Sequence, residues 1–218
     1  MHIFLPNQCM FCRKPAGYDK DLCPLCEKNI PFTKKAFDFP EGSSEKVKIS
    51  RLYVPFYYEM GVENAIQDLK FNDNLLNARK LGGFMADCLQ TFAEGIHFDL
   101  LLPVPLYSKD KRERGYNQSE ELAEWVSKKA GIPVNQKTLR KIKETKSQHL
   151  LTERERYYNL AGAFCVTAPE EIAGRHILLV DDVFTTGSTM KECASALLQA
   201  GASCVSGLAA ARTRNIAK

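Results

Sequence analysis

The chain has 218 residues, 44% of them hydrophobic, enough for one α/β domain with a small appendage. It contains no run of about 18 apolar residues and no basic-then-apolar leader, so neither a membrane span nor a secretory signal is expected and a cytoplasmic location is. A net charge of +4 permits phosphate or nucleic-acid partners without requiring them.

From the N-terminus, Cys9-Met-Phe-Cys12 and Cys23-Pro-Leu-Cys26 are two C-x-x-C knuckles with ten residues between them. Clustered cysteines in a cytosolic chain bind metal more often than they form disulfides. Four thiolates complete a closed tetrahedral shell, the mark of a structural zinc ion. A pair of redox dithiols is the alternative, disfavoured because two knuckles occur together with no βαβ pattern around them. Cys88, Cys165, Cys193 and Cys204 are scattered in the apolar body and read as small buried residues. Few apolar residues lie near 1–30, so the metal is expected to supply the folding energy. The expected organisation is a zinc ribbon at 1–32, a linker at 33–50 rich in glycine, serine and charge, and an α/β domain at 51–218.

In that domain Leu52–Tyr58 is rich in β-formers. Val62, Ala65, Ile66 and Leu69 recur at helical spacing in 61–71, as do Leu76, Leu81, Phe84, Met85 and Leu89 in 75–92. Phe98–Val104 predicts a buried strand ending in Pro-Val-Pro at 103–105. Asn117 or Ser119 is placed to cap a helix with the apolar stripe Leu122, Trp125 and Val126, stopped by Gly131. Ile132–Val134 predicts the start of another strand. From Lys137 to Asn159 the chain is charged and poorly periodic, which predicts an exposed loop with a short helix near 152–158. Ala163–Val166 reads as a strand. Met190, Ala194, Leu197 and Leu198 stripe a last helix, and Ala202–Ala211 is expected to close the sheet.

The most informative run is His176–Thr189. Ile177–Val180 is the continuous apolar run of a strand covered on both faces. Asp181 and Asp182 follow at its expected end, where open α/β sheets bind ligands. Thr185, Thr186, Gly187, Ser188 and Thr189 then open a helix, and a helix N-terminus lined with N–H groups and hydroxyls is an anion site. A lone Asp-Asp would read as an ordinary polar turn; the full arrangement favours a ligand with a phosphate at one end and hydroxyls or a metal at the other. No Walker-type loop is present.

This order of features resembles the phosphoribosyl pyrophosphate signature of type I phosphoribosyltransferases. Together with the paired knuckles, LKF at 69–71, LLPVPL at 101–106, RERGYNQS at 112–119, SQHLLTERERYYNLAGAF at 147–164 and LLVDDVFTTGSTMKECASALLQAGA at 178–202, the chain as a whole resembles the ComF (ComFC/GntX-like) competence family. The resemblance implies a type I phosphoribosyltransferase-like parallel sheet flanked by helices at 51–218, behind a small four-cysteine zinc ribbon, in a protein acting in DNA uptake during natural transformation. It implies that Asp181 and Asp182 hold the ribose hydroxyls, directly or through Mg²⁺, and that Thr185–Thr189 hold the 5-phosphate. It implies that the 103–105 turn, with Arg112 and Arg114, lies on the pyrophosphate side, and that the basic segment 140–156 closes over the site. Single-stranded DNA and a DNA-uptake helicase or other DNA-processing protein are the implied partners.

One departure matters. Purine-salvage relatives carry an acid where this chain has Thr185, and a threonine is no general base at neutral pH, so purine salvage is not expected. A complete glutamine amidotransferase is not expected either, since no glutaminase segment is seen. Two readings stay open: a competence factor that binds phosphoribosyl pyrophosphate, and a working transferase that passes the phosphoribosyl group to an unidentified nucleophile. A repressor is disfavoured by the lack of a helix-turn-helix signal.

Overall fold

The computed structural model describes residues 7–38, 49–71, 74–145 and 160–214. Strands β1 (Asn7–Gln8) and β2 (Pro15–Gly17) pair antiparallel and lead to helix α1 (Pro24–Asn29). Then come β3 (Ile49–Tyr53), β4 (Phe56–Tyr57), α2 (Val62–Phe71), α3 (Leu75–Phe92) and β5 (Leu100–Pro103). They are followed by α4 (Ser108–Arg114), α5 (Gln118–Ala130), β6 (Leu139–Lys141) and β7 (Phe164–Val166). The last described elements are β8 (His176–Phe184), α6 (Ser188–Gln199) and β9 (Cys204–Arg212).

Among the described residues the central sheet has the order β3-β9-β8-β5, with β4 continuing beside β9, and every pairing in it is parallel. The strands are apolar on both faces because both faces are covered. Side chains alternate across a strand, and the cores follow that parity. Leu178 and Val180 pack with α2, α3 and α5, while Ile177 and Leu179 pack with α6. The expected fold class, a parallel sheet flanked by helices, is therefore observed.

Several local expectations are corrected. Ala202–Ala211 does not close the sheet at an edge: β9 lies inside it, between β3 and β8. β8 runs past the acid pair, because Val183 and Phe184 still pair with Ala211 and Arg212 of the long neighbouring strand. Ile132–Val134 makes only an isolated bridge, Val134 with Leu101. Within the expected loop from Lys137, residues 139–141 form β6, antiparallel to β7. Residues 146–159 of that loop, with its expected short helix, lie outside the described residues. α4 was invisible to periodicity because it buries no residue; Gly115, left-handed at φ 86°, ends it.

α5 bears on the site, and its seat is α3. Gly82 lets the two helices touch: a Cβ there would stand 2.6 Å from Trp125 Cβ. Trp125, expected as core, is half-buried at this contact. Asn117 caps α5, its side chain accepting from Ser119 N at 3.0 Å, and Gly131 ends it. No helix among the described residues is long and apolar enough to cross a membrane.

Candidate functional site

Among the described residues two clusters carry chemistry. The first is the cysteine quartet. Arg13, left-handed at φ 60°, turns the first knuckle, with Cys9 N donating to Lys14 O at 2.8 Å and Arg13 N to Cys9 O at 2.8 Å. The second knuckle is the first turn of α1, with Cys23 as N-cap and Pro24 behind it. All four sulfurs lie within 4.8 Å of one another, and Cys12 Sγ is 3.6 Å from Cys23 Sγ. A tetrahedron of sulfurs bound at about 2.3 Å has edges of about 3.8 Å, so Cys9, Cys12, Cys23 and Cys26 are close enough to hold one metal ion. Burial, then the neighbouring sulfurs, push the Cys26 thiol up. A bound dication reverses that by favouring the thiolate.

Among the described residues, the apolar side chains around the quartet share one core with the rest of the domain. Cys9, Met10, Phe11, Leu22 and Ile30 join the cluster formed by α2, α3 and the sheet, with Phe11 edge-on to Phe56 at 5.5 Å. Polar ties reinforce this. Lys80 of α3, 6% exposed, donates to Gln8 O at 3.2 Å and lies 3.4 Å from Asp21 Oδ1. Arg13 Nη2 grips both oxygens of Asp68 on α2 at 2.8 and 2.7 Å.

The second cluster surrounds the acid pair. Parity puts Asp182 on the same side of β8 as Leu178 and Val180, facing α2 and α5. There Lys70 Nζ, at the end of α2, stands 2.9 Å from Asp182 Oδ2, and Gln118 Nε2 of α5 donates to the same oxygen at 2.8 Å. Asp181 is held likewise by one oxygen: its Oδ1 accepts from Ser119 Oγ at 3.1 Å and from Asp182 N at 2.9 Å. The other two oxygens, Asp181 Oδ2 and Asp182 Oδ1, have no protein partner among the described residues. Burial, then the neighbouring Asp182 charge, push the Asp181 carboxyl up to about 7. Burial works to lower the Lys70 ammonium, but the Asp182 carboxylate outweighs it and holds the amine above its ordinary value.

Beyond the acids, Thr185–Gly187 turn the chain into α6. Gly187 is the N-cap at φ 76°, a left-handed conformation that suits glycine, and no side chain caps the helix from that position. Thr186 Oγ1 reaches back to within 3.4 Å of Ser188 N and also pairs with Ser188 Oγ at 2.9 Å. A helix N-terminus with the hydroxyls of Thr186 and Ser188 beside it suits an anion. The 103–105 turn lies beside the acids, because Pro103 pairs with Val180 and Val104 N donates to Val180 O at 2.8 Å. Arg114 reaches the acids indirectly: it donates to Gln118 Oε1 at 2.6 Å and sits 5.5 Å over Phe71. Arg112 is exposed on α4, and among the described residues no hydrogen bond or ion pair joins it to the acids.

Sequence reasoning missed Lys70, Gln118 and Ser119 as the residues that hold the pair. All three lie inside segments that carried the resemblance, L-K-F and N-Q-S, and the parity of β8 is the signal that would have pointed Asp182 at their helices.

A family model described as a phosphoribosyl transferase domain matches residues 111–215. The chain is 36% identical over 218 residues to Competence protein F of Haemophilus influenzae, covering 91% of this chain and 93% of that one. It is 30% identical over 211 residues to the DNA utilization protein YhgH of Escherichia coli O157:H7, covering 90% and 86%. It is 28% identical over 152 residues to Competence protein ComFC of Bacillus subtilis, covering 67% and 57%. Kinship over nine-tenths of its length, joined to a matched phosphoribosyltransferase domain, means that the chain belongs to the ComF-type phosphoribosyltransferase family.

Proposed function

We propose that this protein binds phosphoribosyl pyrophosphate between the acid pair and the N-terminus of α6, and that it acts in DNA uptake during natural transformation. One observation carries the ligand: two adjacent carboxylates, each held by one oxygen and each offering the other, stand at one end of a loop whose far end is an anion-binding helix N-terminus. A vicinal diol fits the first feature and a 5-phosphate the second. The names of the relatives, competence and DNA utilization, support the process; a helicase or other DNA-processing protein is the partner we propose for it.

In this reading Asp181 Oδ2 and Asp182 Oδ1 accept from the ribose hydroxyls, and Thr185, Thr186, Gly187, Ser188 and Thr189 enclose the phosphate. Mg²⁺ fits the donor set, since hard carboxylate oxygens and a diphosphate are its ordinary ligands; when bound it supplies positive charge to the leaving diphosphate. Arg114, held by Gln118, and Arg112 contribute charge on the pyrophosphate side. Zinc is the metal that an all-cysteine tetrahedron favours, and here it would brace the N-terminal module against α2 and α3. Exposed cations of α4 such as Lys109 and Arg112 suit the phosphates of single-stranded DNA, and binding of that kind weakens steeply with salt.

The second reading, a working transferase, is favoured by the same intact site. Glycosyl transfer through a carbocation-like sugar needs positioning and charge more than a base, so Thr185 does not forbid it. The discriminating experiment incubates the protein with phosphoribosyl pyrophosphate, Mg²⁺ and candidate bases or DNA and follows pyrophosphate release. Release that depends on one acceptor supports turnover. Tight binding with no release supports a ligand-sensing competence factor, and neither binding nor release would end both readings.

A further inference from the structure

Lys70 reaches the acid pair from helix α2, outside the residues 111–215 that match the phosphoribosyltransferase domain. Its ammonium is placed by a packed helix: the side chain is 24% exposed, and Ile66 and Leu69 beside it are fully buried. The carbonyl of Leu69 accepts from Tyr116 Oη, and Asp68 is gripped by Arg13 through both oxygens. Lys70 and Gln118 come from different helices and meet the same oxygen of Asp182. A carboxylate held by one donor pivots; held by two on one oxygen, it presents its other oxygen, Oδ1, in a fixed direction.

We propose that Lys70 is a positioning residue for sugar recognition, aiming Asp182 so that its Oδ1 and Asp181 Oδ2 read a vicinal diol together. This rests on the ribose reading of the site and extends it. Lys70 acts through Asp182 and is not assigned contact with the reacting atoms. The inference also gives the N-terminal part of the chain a share in the site, since the Arg13–Asp68 pair steadies the helix that carries Lys70. An ion pair that merely stabilised the fold would change melting and lower affinity for every sugar phosphate alike. A positioning residue changes discrimination between sugars.

The test measures dissociation constants, with Mg²⁺ present, for ribose 5-phosphate and its 2-deoxy and 3-deoxy analogues on the full chain and on Lys70→Met, Lys70→Gln and Lys70→Arg. In the parent protein each missing hydroxyl should weaken binding about tenfold or more, as expected for hydrogen bonds to a charged group. In the Met and Gln variants at least one of those penalties should shrink to about twofold, whereas Arg, which keeps the cation, should retain it. Thermal melting identifies a variant that fails to fold, and the Gln and Arg variants carry the test if Met does. Met and Gln variants that bind all three sugars more weakly but keep both penalties would overturn the role of Lys70 alone. A parent protein indifferent to both hydroxyls would overturn the ribose reading and this inference with it.

Discussion

Gln118 and Asp182, 64 residues apart in the chain, meet with Nε2 2.8 Å from Oδ2, and the same amide accepts from Arg114 through Oε1 at 2.6 Å. One neutral side chain thus joins a cation of the proposed pyrophosphate side to an acid of the proposed ribose side. Gln118→Leu keeps the apolar stem and removes both bonds. It should weaken phosphoribosyl pyrophosphate binding about tenfold, the worth of one hydrogen bond to a charged group. Titration calorimetry beside a melting curve checks that the loss lies in binding and not in folding.

The cysteine quartet predicts one zinc per chain, measurable by elemental mass spectrometry. Because Cys9, Met10 and Phe11 pack into the same core as α2 and α3, metal loss should be felt by the whole molecule. Cys9→Ser, or chelation, is expected to lower the melting temperature of the main transition, monitored by near-ultraviolet circular dichroism. A metal-free chain that melts unchanged would remove the structural role assigned to the ion.

Asp181 sets a pH dependence. Its folded carboxyl stands at about 7 against an ordinary 3.8. Between those values the folded state keeps a proton that the unfolded state has lost, so this group makes stability fall as pH rises through about 4 to 7. Asp181→Asn cannot titrate. The stability of the variant relative to the parent should therefore climb across that window and level off above it, as read from urea unfolding at a series of pH values. A difference that stays flat from about pH 4 to 8 would show that the carboxyl is not perturbed.

Adjacent glycines of α3 make an internal contrast. A Cβ at Gly82 would meet Trp125 Cβ at 2.6 Å, whereas at Gly83 the nearest atom is Lys129 Nζ at 4.0 Å. Gly82→Ala should destabilise by about 1–3 kcal/mol through overpacking against α5. Gly83→Ala should stabilise by about 0.5–1 kcal/mol through helix propensity alone. Chemical denaturation of the two variants reads both signs.

Much of this was legible in the sequence because it rests on local patterns. The apolar runs of β5 and β8, the stripes of α2, α3 and α6, the Asn117 cap and the Gly131 stop each follow from residue spacing. The quartet was legible because two short motifs define it. What the sequence hid was non-local. Nothing near Ala202 tells that β9 lies between β3 and β8, since strand order is set by packing between distant segments. α4 hid because a helix that buries nothing has no stripe. Lys70 hid because its meaning lies in Asp182, reached only when α2 folds across the sheet.

The central claim is that Asp181 and Asp182 hold the ribose of phosphoribosyl pyrophosphate. Its most direct test is calorimetric titration of the ligand with Mg²⁺ into the parent protein and into a chain carrying both Asp181→Asn and Asp182→Asn, with melting curves confirming that the variant is folded. The account predicts saturable one-to-one binding by the parent and none detectable by the folded variant. Equal affinity in the two proteins would contradict it.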